Sequence, residues 1–230
     1  MFFFAYKQPI YYTSLKQKQQ ARQINTYKSI MDSLFTIGHS NQSEQEFIAL
    51  LTENNISAIA DVRSQPYSQY TPHFNRNALE KILRETDIQY VFLGRELGAR
   101  RHEEACYLNG RAKYEMIARQ PLFREGLERL FQGCERYRVA VMCSEADPIT
   151  CHRTILICRE IKRLRPGMPI HHILGDGTTE THEEALERLV ELHKLQPELF
   201  GDLTSASSLI EKAYELQAAK LEYQTGQAEE

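Results

Sequence analysis

Five short, largely apolar runs, at residues 34–38, 56–63, 88–93, 139–143 and 169–174, do most to limit what this chain can fold into. Each is too short for a stable helix, and runs of this kind mark strands buried on both faces of a sheet. Helical patterns lie between them. Ser43 and Glu46 have capping-box spacing and open a helix through Phe47, Leu50 and Leu51. Asn75 or Asn77 can cap a second helix carrying Leu79, Ile82 and Leu83. Leu122, Phe123, Gly126, Leu127, Leu130 and Phe131 mark a third, and Ile155, Cys158, Ile161 and Leu164 a fourth. Two more helices are expected around 181–195 and 206–222, and residues 95–110 read as a long polar connection. Strands alternating with amphipathic helices predict an α/β protein: a single three-layer domain, with a mainly parallel central sheet of about five strands and helices on both faces.

Charge divides the chain of 230 residues into three parts that a net charge of -3 conceals. Residues 1–31 carry five bases and no acid, residues 32–177 balance 19 bases against 19 acids, and residues 178–230 hold 12 acids against 4 bases. The first 31 residues lack periodicity and are expected to be a disordered extension outside the fold, with Met31 the expected true start. The folded domain is expected over 32–200, followed at 201–230 by an acidic helix and a frayed tail. Without the extension, 23 bases and 31 acids leave -8. Such a balance disfavours binding nucleic acid by bulk charge, so an anion must be drawn by local groups. The apolar share of 42% and charged share of 26% exclude collagen-like and wholly disordered classes. Five cysteines (Cys106, Cys134, Cys143, Cys151 and Cys158), without a secretory signal or an apolar run long enough for a membrane helix, predict a reduced cytoplasmic protein.

Functional groups in parallel sheets gather beyond the carboxyl ends of the strands. Here those ends read Gly38-His39-Ser40-Asn41, Asp61-Val62-Arg63, Gly94-Arg95-Glu96, Cys143-Ser144-Glu145 and Gly175-Asp176-Gly177. The densest group runs from Cys143 to Arg153. Asp147 reads as an N-cap and Pro148 as the first helical residue, which puts Cys151, His152 and Arg153 in the first turns of a helix. A helix N-terminus favours anions and lowers a thiol pKa, and a guanidinium can grip an anion bidentately. Two readings stay open. One is a thiol or carboxylate site with His152 as proton carrier. The other is a pair of buried cysteines acting as small hydrophobes beside a Glu145–Arg153 salt bridge, and spacing alone favours it. A metal is disfavoured, because Cys-x7-Cys-His lacks the paired spacing of zinc sites. Asp61 and Arg63 can satisfy each other or orient one another toward a ligand. Glu96 and Arg100 read as surface charges unless their loop folds over a pocket, and Tyr67 and Phe74 either line a pocket or cover core.

The order Thr36-Ile-Gly-His-Ser-Asn41, Asp61-Val-Arg-Ser-x-Pro66, Leu93-Gly-x-Glu-Leu-Gly98, Met142-Cys-x-Glu-x-x-Pro148, Cys151-His-Arg153 resembles the family named domain of unknown function 488, over about residues 34–177. Ala99 stands where a second Gly is usual, and Ser144 where Ala is common. The resemblance implies that the polar strand ends are the family's hallmark, falling here on Asp61, Arg63, Glu96, Cys143, Glu145, Cys151, His152 and Arg153. It implies no reaction.

The expected function is a small enzyme acting on an anionic or nucleotide-like small molecule. Cys143, Glu145, Cys151 and His152 are its catalytic candidates, with Cys143 or Cys151 as nucleophile or redox thiol. His39, Asp61, Arg63, Glu96, Arg153 and Asp176 are its ligand-binding candidates. No metal ligand, cofactor or membrane partner is assigned. The alternatives are a non-catalytic module that binds a nucleotide or nucleic-acid end, and a zinc-structured domain.

Overall fold

A computed structural model describes residues 33–197 and 205–224. The expected N-terminal extension at 1–31 and the end of the expected tail lie outside the described residues. The main sheet has six strands in the order β3-β2-β6-β1-β7-β8. They are β1 (Leu34–Gly38), β2 (Ala58–Asp61), β3 (Gln89–Phe92), β6 (Val139–Cys143), β7 (Ile170–Ile173) and β8 (Thr179–Thr181). All neighbours pair in parallel except β7 and β8. The five expected strands are therefore present, and the protein is α/β. The sixth was not expected: β8 is a three-residue polar strand at the sheet edge, without the apolar run that marks buried strands.

Strand alternation divides the core into two halves. Phe35, Ile37, Ile59, Ala140 and Met142 face helices α1 (Glu44–Glu53) and α2 (Arg76–Glu85), whose Phe47, Leu51, Leu79 and Leu83 cover them. Leu34, Ala58, Ala60, Val139 and Val141 face the opposite layer. That layer includes α5 (Pro121–Cys134), α6 (Arg159–Leu164), α7 (His182–Leu192) and α8 (Ala206–Leu221). Ser43 and Glu46 form the expected capping box on α1.

Chain direction explains the two layers. The chain steps outward from β1 to β2 to β3, returns to insert β6 between β2 and β1, and then passes to β7. Parallel crossovers are right-handed, so reversing the direction of travel moves the helices to the other face. Loops after β1 and β2 therefore leave on one side and the loop after β6 on the other. The crevice that results, at the carboxyl ends of β1, β2 and β6, is where open α/β sheets place ligands.

Residues 95–110, expected to be a polar connection, contain the short helix α3 (Gly94–Leu97) at their start and the hairpin strand β4 (Tyr107–Leu108) at their end. Strand β4 pairs with β5 (Arg111–Ala112), ahead of the short helix α4 (Tyr114–Ala118). Asn109 and Gly110 both have positive φ, 52° and 73°, as a two-residue hairpin turn requires. Asn-Gly was the signal for it. The C-terminal helix α8 is no appendage: it buries Leu209, Ala213, Tyr214, Gln217 and Ala218, and beyond it Tyr223 O accepts the Ala112 amide at 2.8 Å. Among the described residues no helix is long and apolar enough to cross a membrane.

Candidate functional site

The strand end at β6 is shaped by close approach. Gly38, at the end of β1, lies so near the turn after β6 that a Cβ there would meet the Glu145 carbonyl oxygen at 1.8 Å. The turn is held from behind by Arg153, which is fully buried and donates to the carbonyls of Glu145 and Ala146. Its guanidinium thus meets backbone and not the Glu145 carboxylate, so the expected Glu145–Arg153 salt bridge is not formed.

The helix start also differs from expectation. Asp147 accepts from the Ile149 amide at 3.2 Å, but the turn it caps covers only Pro148–Thr150. Cys151 is extended, with φ -132° and ψ 144°, and precedes the helix. A π-type segment, Arg153–Cys158, begins after His152 and runs into α6. The break lets Cys151 turn back toward Glu145 and Cys143, which a continuous helix from Asp147 does not allow.

As a result Cys143, Glu145, Cys151 and His152 bring their sulfurs, carboxylate and imidazole within 4.8 Å of one another. Cys151 Sγ lies 2.9 Å from Glu145 Oε2, near enough for the two to share one proton. His152 Nε2–H donates to the Val62 carbonyl at 3.2 Å. In the neutral ring that leaves Nδ1 bare, 3.5 Å from Cys143 Sγ and 3.9 Å from Cys151 Sγ. Burial alone raises both thiols. For Cys143 it wins, with Cys151 adding to it, and the thiol is held well above its usual range. For Cys151 burial is outweighed by the Cys143 hydrogen bond, the Arg153 charge and His152, so it lies well below that range. Burial lowers His152, but the Cys151 sulfur and Glu145 reverse this and raise it. Glu145 is raised by loss of water and by Cys151, although its side chain stands open to the cavity in front of it.

That cavity has a volume of about 910 Å³ and is lined by His39, Arg63, Cys143, Glu145 and His152 at its floor. The loop after β2 contributes Tyr67 and Tyr70, which are 62% and 87% exposed. The far wall comes from Arg100, Arg111 and Tyr114, from Lys220 near the end of α8, and from Glu222 and Tyr223 just beyond it. Arg100 lies over the Tyr223 ring. The 95–110 loop does reach the cavity, through Arg100. Tyr67 lines it, whereas Phe74 is core and stacks on His39 at 4.3 Å.

Arg63 is oriented rather than free. It donates to Asp61 from Nε at 2.9 Å and from Nη2 at 2.7 Å, and to the Phe74 carbonyl. Asp61 is fully buried and also accepts from Tyr90. His39 Nδ1–H donates to the Ser40 carbonyl, leaving Nε2 to accept from Arg63 Nη1 at 3.2 Å. Burial and the Arg63 charge push His39 down to about 4. Asp61 therefore sits behind the cavity, with Arg63 and His39 at its surface.

Two of the expected ligand residues stand apart. Glu96 pairs with Arg129 of α5, and Asp176 closes its own turn by accepting from the Thr178 amide and hydroxyl. Neither lines the cavity, nor does Arg153. Sequence reasoning missed Arg111, Tyr114, Lys220 and Tyr223. No local pattern distinguishes them, because they reach the cavity through pairing of the chain after α8 with β5.

Residues 43–159 match the family described as domain of unknown function DUF488. The matched stretch includes the ends of β2 and β6 and stops short of His39 and Asp176. No curated protein and no solved structure matches the chain.

Proposed function

The chain belongs to the family described as domain of unknown function DUF488, and on that premise we propose that it is a small enzyme acting on an anionic, nucleotide-like molecule held in this cavity. One observation carries the reading: the Cys143, Glu145, Cys151 and His152 cluster opens into a cavity whose wall is basic. Arg63 is balanced by Asp61, and Glu222 by Lys113. Of the remaining charges, Arg111 and Lys220 outnumber Glu145. A chain of net charge -3 thus has a locally positive cleft, which recruits a small anion and not a long polyanion.

Each group has a distinct task. Arg111 and Lys220 draw the anion, and Arg63, locked by Asp61 and His39, presents a fixed edge to it. Tyr67 and Tyr70 offer exposed rings on which a base can stack. Glu145 faces the cavity with a raised pKa and is the proton carrier. Cys143, Cys151 and His152 form the electron-rich group behind it. Cavity volume fits a ligand of nucleotide size.

A thermal-shift screen of nucleotides and other small anions tests this. A ligand at ~100-fold its Kd stabilises by ~2.7 kcal/mol, and the shift is expected to shrink in Lys220→Ala and Arg111→Ala. Glu145→Gln is expected to keep binding and lose turnover. Binding with no turnover in any preparation converts the reading into the non-catalytic binding module. Absence of any anion dependence rejects it.

A further inference from the structure

We infer that Cys143, Cys151 and His152 bind a thiolate-preferring divalent ion of the zinc class, with Glu145 beside an open fourth position that faces the cavity. The inference rests on reading this cluster as the cavity's reaction centre and supplies the cofactor for it.

The spacing supports it first. Zinc lies about 2.3 Å from thiolate sulfur and 2.0–2.1 Å from imidazole nitrogen, so tetrahedral angles put sulfur and nitrogen about 3.6 Å apart. His152 Nδ1 lies 3.5 Å and 3.9 Å from the two sulfurs. Both nitrogen–sulfur edges therefore suit one ion, and the two sulfurs lie within 4.8 Å of each other. The second support is the far side of the imidazole. Ligand histidines hold their ring by donating the other N–H to a fixed acceptor, and His152 does so to the Val62 carbonyl at 3.2 Å. The third is the donor set, in which two sulfurs and an imidazole select zinc-like ions over calcium or magnesium.

Glu145 is better placed beside the ion than on it. Its Oε2 lies 2.9 Å from Cys151 Sγ, shorter than the roughly 3.6 Å that two ligands of one tetrahedral ion keep. Three protein ligands with a cavity-facing fourth position is the arrangement of catalytic zinc sites, whereas structural sites are closed by four. The linear spacing Cys-x7-Cys-His hid this, because the extended Cys151 between two helical turns does what a CxxC loop does elsewhere.

The full chain, purified under reducing conditions, is expected to hold about one zinc per molecule. After removal of zinc by a chelator, titration with Co²⁺ is expected to give a near-ultraviolet thiolate-to-cobalt charge-transfer band and visible ligand-field bands. Cys143→Ser and Cys151→Ser lose or weaken them, while Cys134→Ser, at the far end of α5, keeps them. The wild-type spectrum decides the matter even if a variant fails to fold: Co²⁺ binding without a charge-transfer band overturns the inference, as does metal-free wild type that takes up neither ion. Zinc bound with no anion-dependent stabilisation keeps the inference and rejects the cavity reading. Anion binding in a chain that holds no metal keeps the cavity reading and rejects the ion.

Discussion

Two buried polar clusters face the same helical layer and differ in one respect. At the floor of the cavity, His152 sits among Cys143, Cys151 and Glu145 with its Nδ1 directed at sulfurs beside open space. Farther along the sheet, Thr36 Oγ1 lies 2.7 Å from His172 Nδ1, His172 Nε2 lies 3.1 Å from His182 Nδ1, and His182 Nε2 lies 2.9 Å from Tyr214 OH. That chain joins β1, β7, α7 and α8. Each ring nitrogen in it has a partner, and none of its members lines the cavity. Burial holds His172 well below the usual range and His182 at about 4. Shifted titration is therefore common to both clusters and identifies neither as a site. Access and unsaturated donors do.

The largest expected effect is acid sensitivity, which the histidine chain shares with His39 at the cavity floor, also held at about 4, but not with His152, whose pKa is raised. His182 stays neutral in the fold down to about 4, while in the unfolded chain it takes up a proton near 6.5. Stability from this cluster is full above 6.5 and falls as pH drops toward 4, by up to about 3 kcal/mol for His182 alone. Denaturant titrations across that interval check it, and a flat profile breaks the account of a sealed cluster. Next in size is Gly38→Ala, which drives a methyl into the Glu145 carbonyl. It is expected to cost about 1–3 kcal/mol and to abolish ligand or metal binding at the floor, leaving the acid profile of the histidine chain unchanged. Tyr214→Phe, which deprives His182 Nε2 of its partner, is expected to cost about 1 kcal/mol and leave anion binding intact. Smallest in stability is Lys220→Ala, within about 0.5 kcal/mol, with anion affinity reduced about tenfold. If Tyr214→Phe weakens binding as much as Lys220→Ala does, the two clusters are not separate.

Much of this was legible in residues. Apolar runs at β1 and β6 have the bounds of the strands, because a strand buried on both faces has no polar alternative. Ser43 and Glu46 form their cap because a capping box is closed by neighbours in the chain. Legibility falls where stability comes from distant partners. The polar edge strand β8 is held by β7, and Arg111 is brought to the cavity wall by the chain after α8, whose Gln224 bridges to it. Asp147 carried a correct N-cap signal, yet its helix stops after one turn, since the Arg153 guanidinium ties the preceding turn from behind.

By itself the sequence determined the α/β class, the parallel core strands and the residues that end them, because periodicity and local capping act over a few neighbouring residues. Tertiary structure decided which of those ends form a site. Reversal of the chain after β3 brought β1, β2 and β6 side by side and left Glu96 and Asp176 outside. The extended Cys151 between two short helical segments gathered sulfurs that are eight positions apart. Closure by α8 then turned a row of polar strand ends into a cavity with a basic wall. These outcomes depend on contacts between residues distant in sequence, so no local pattern encodes them.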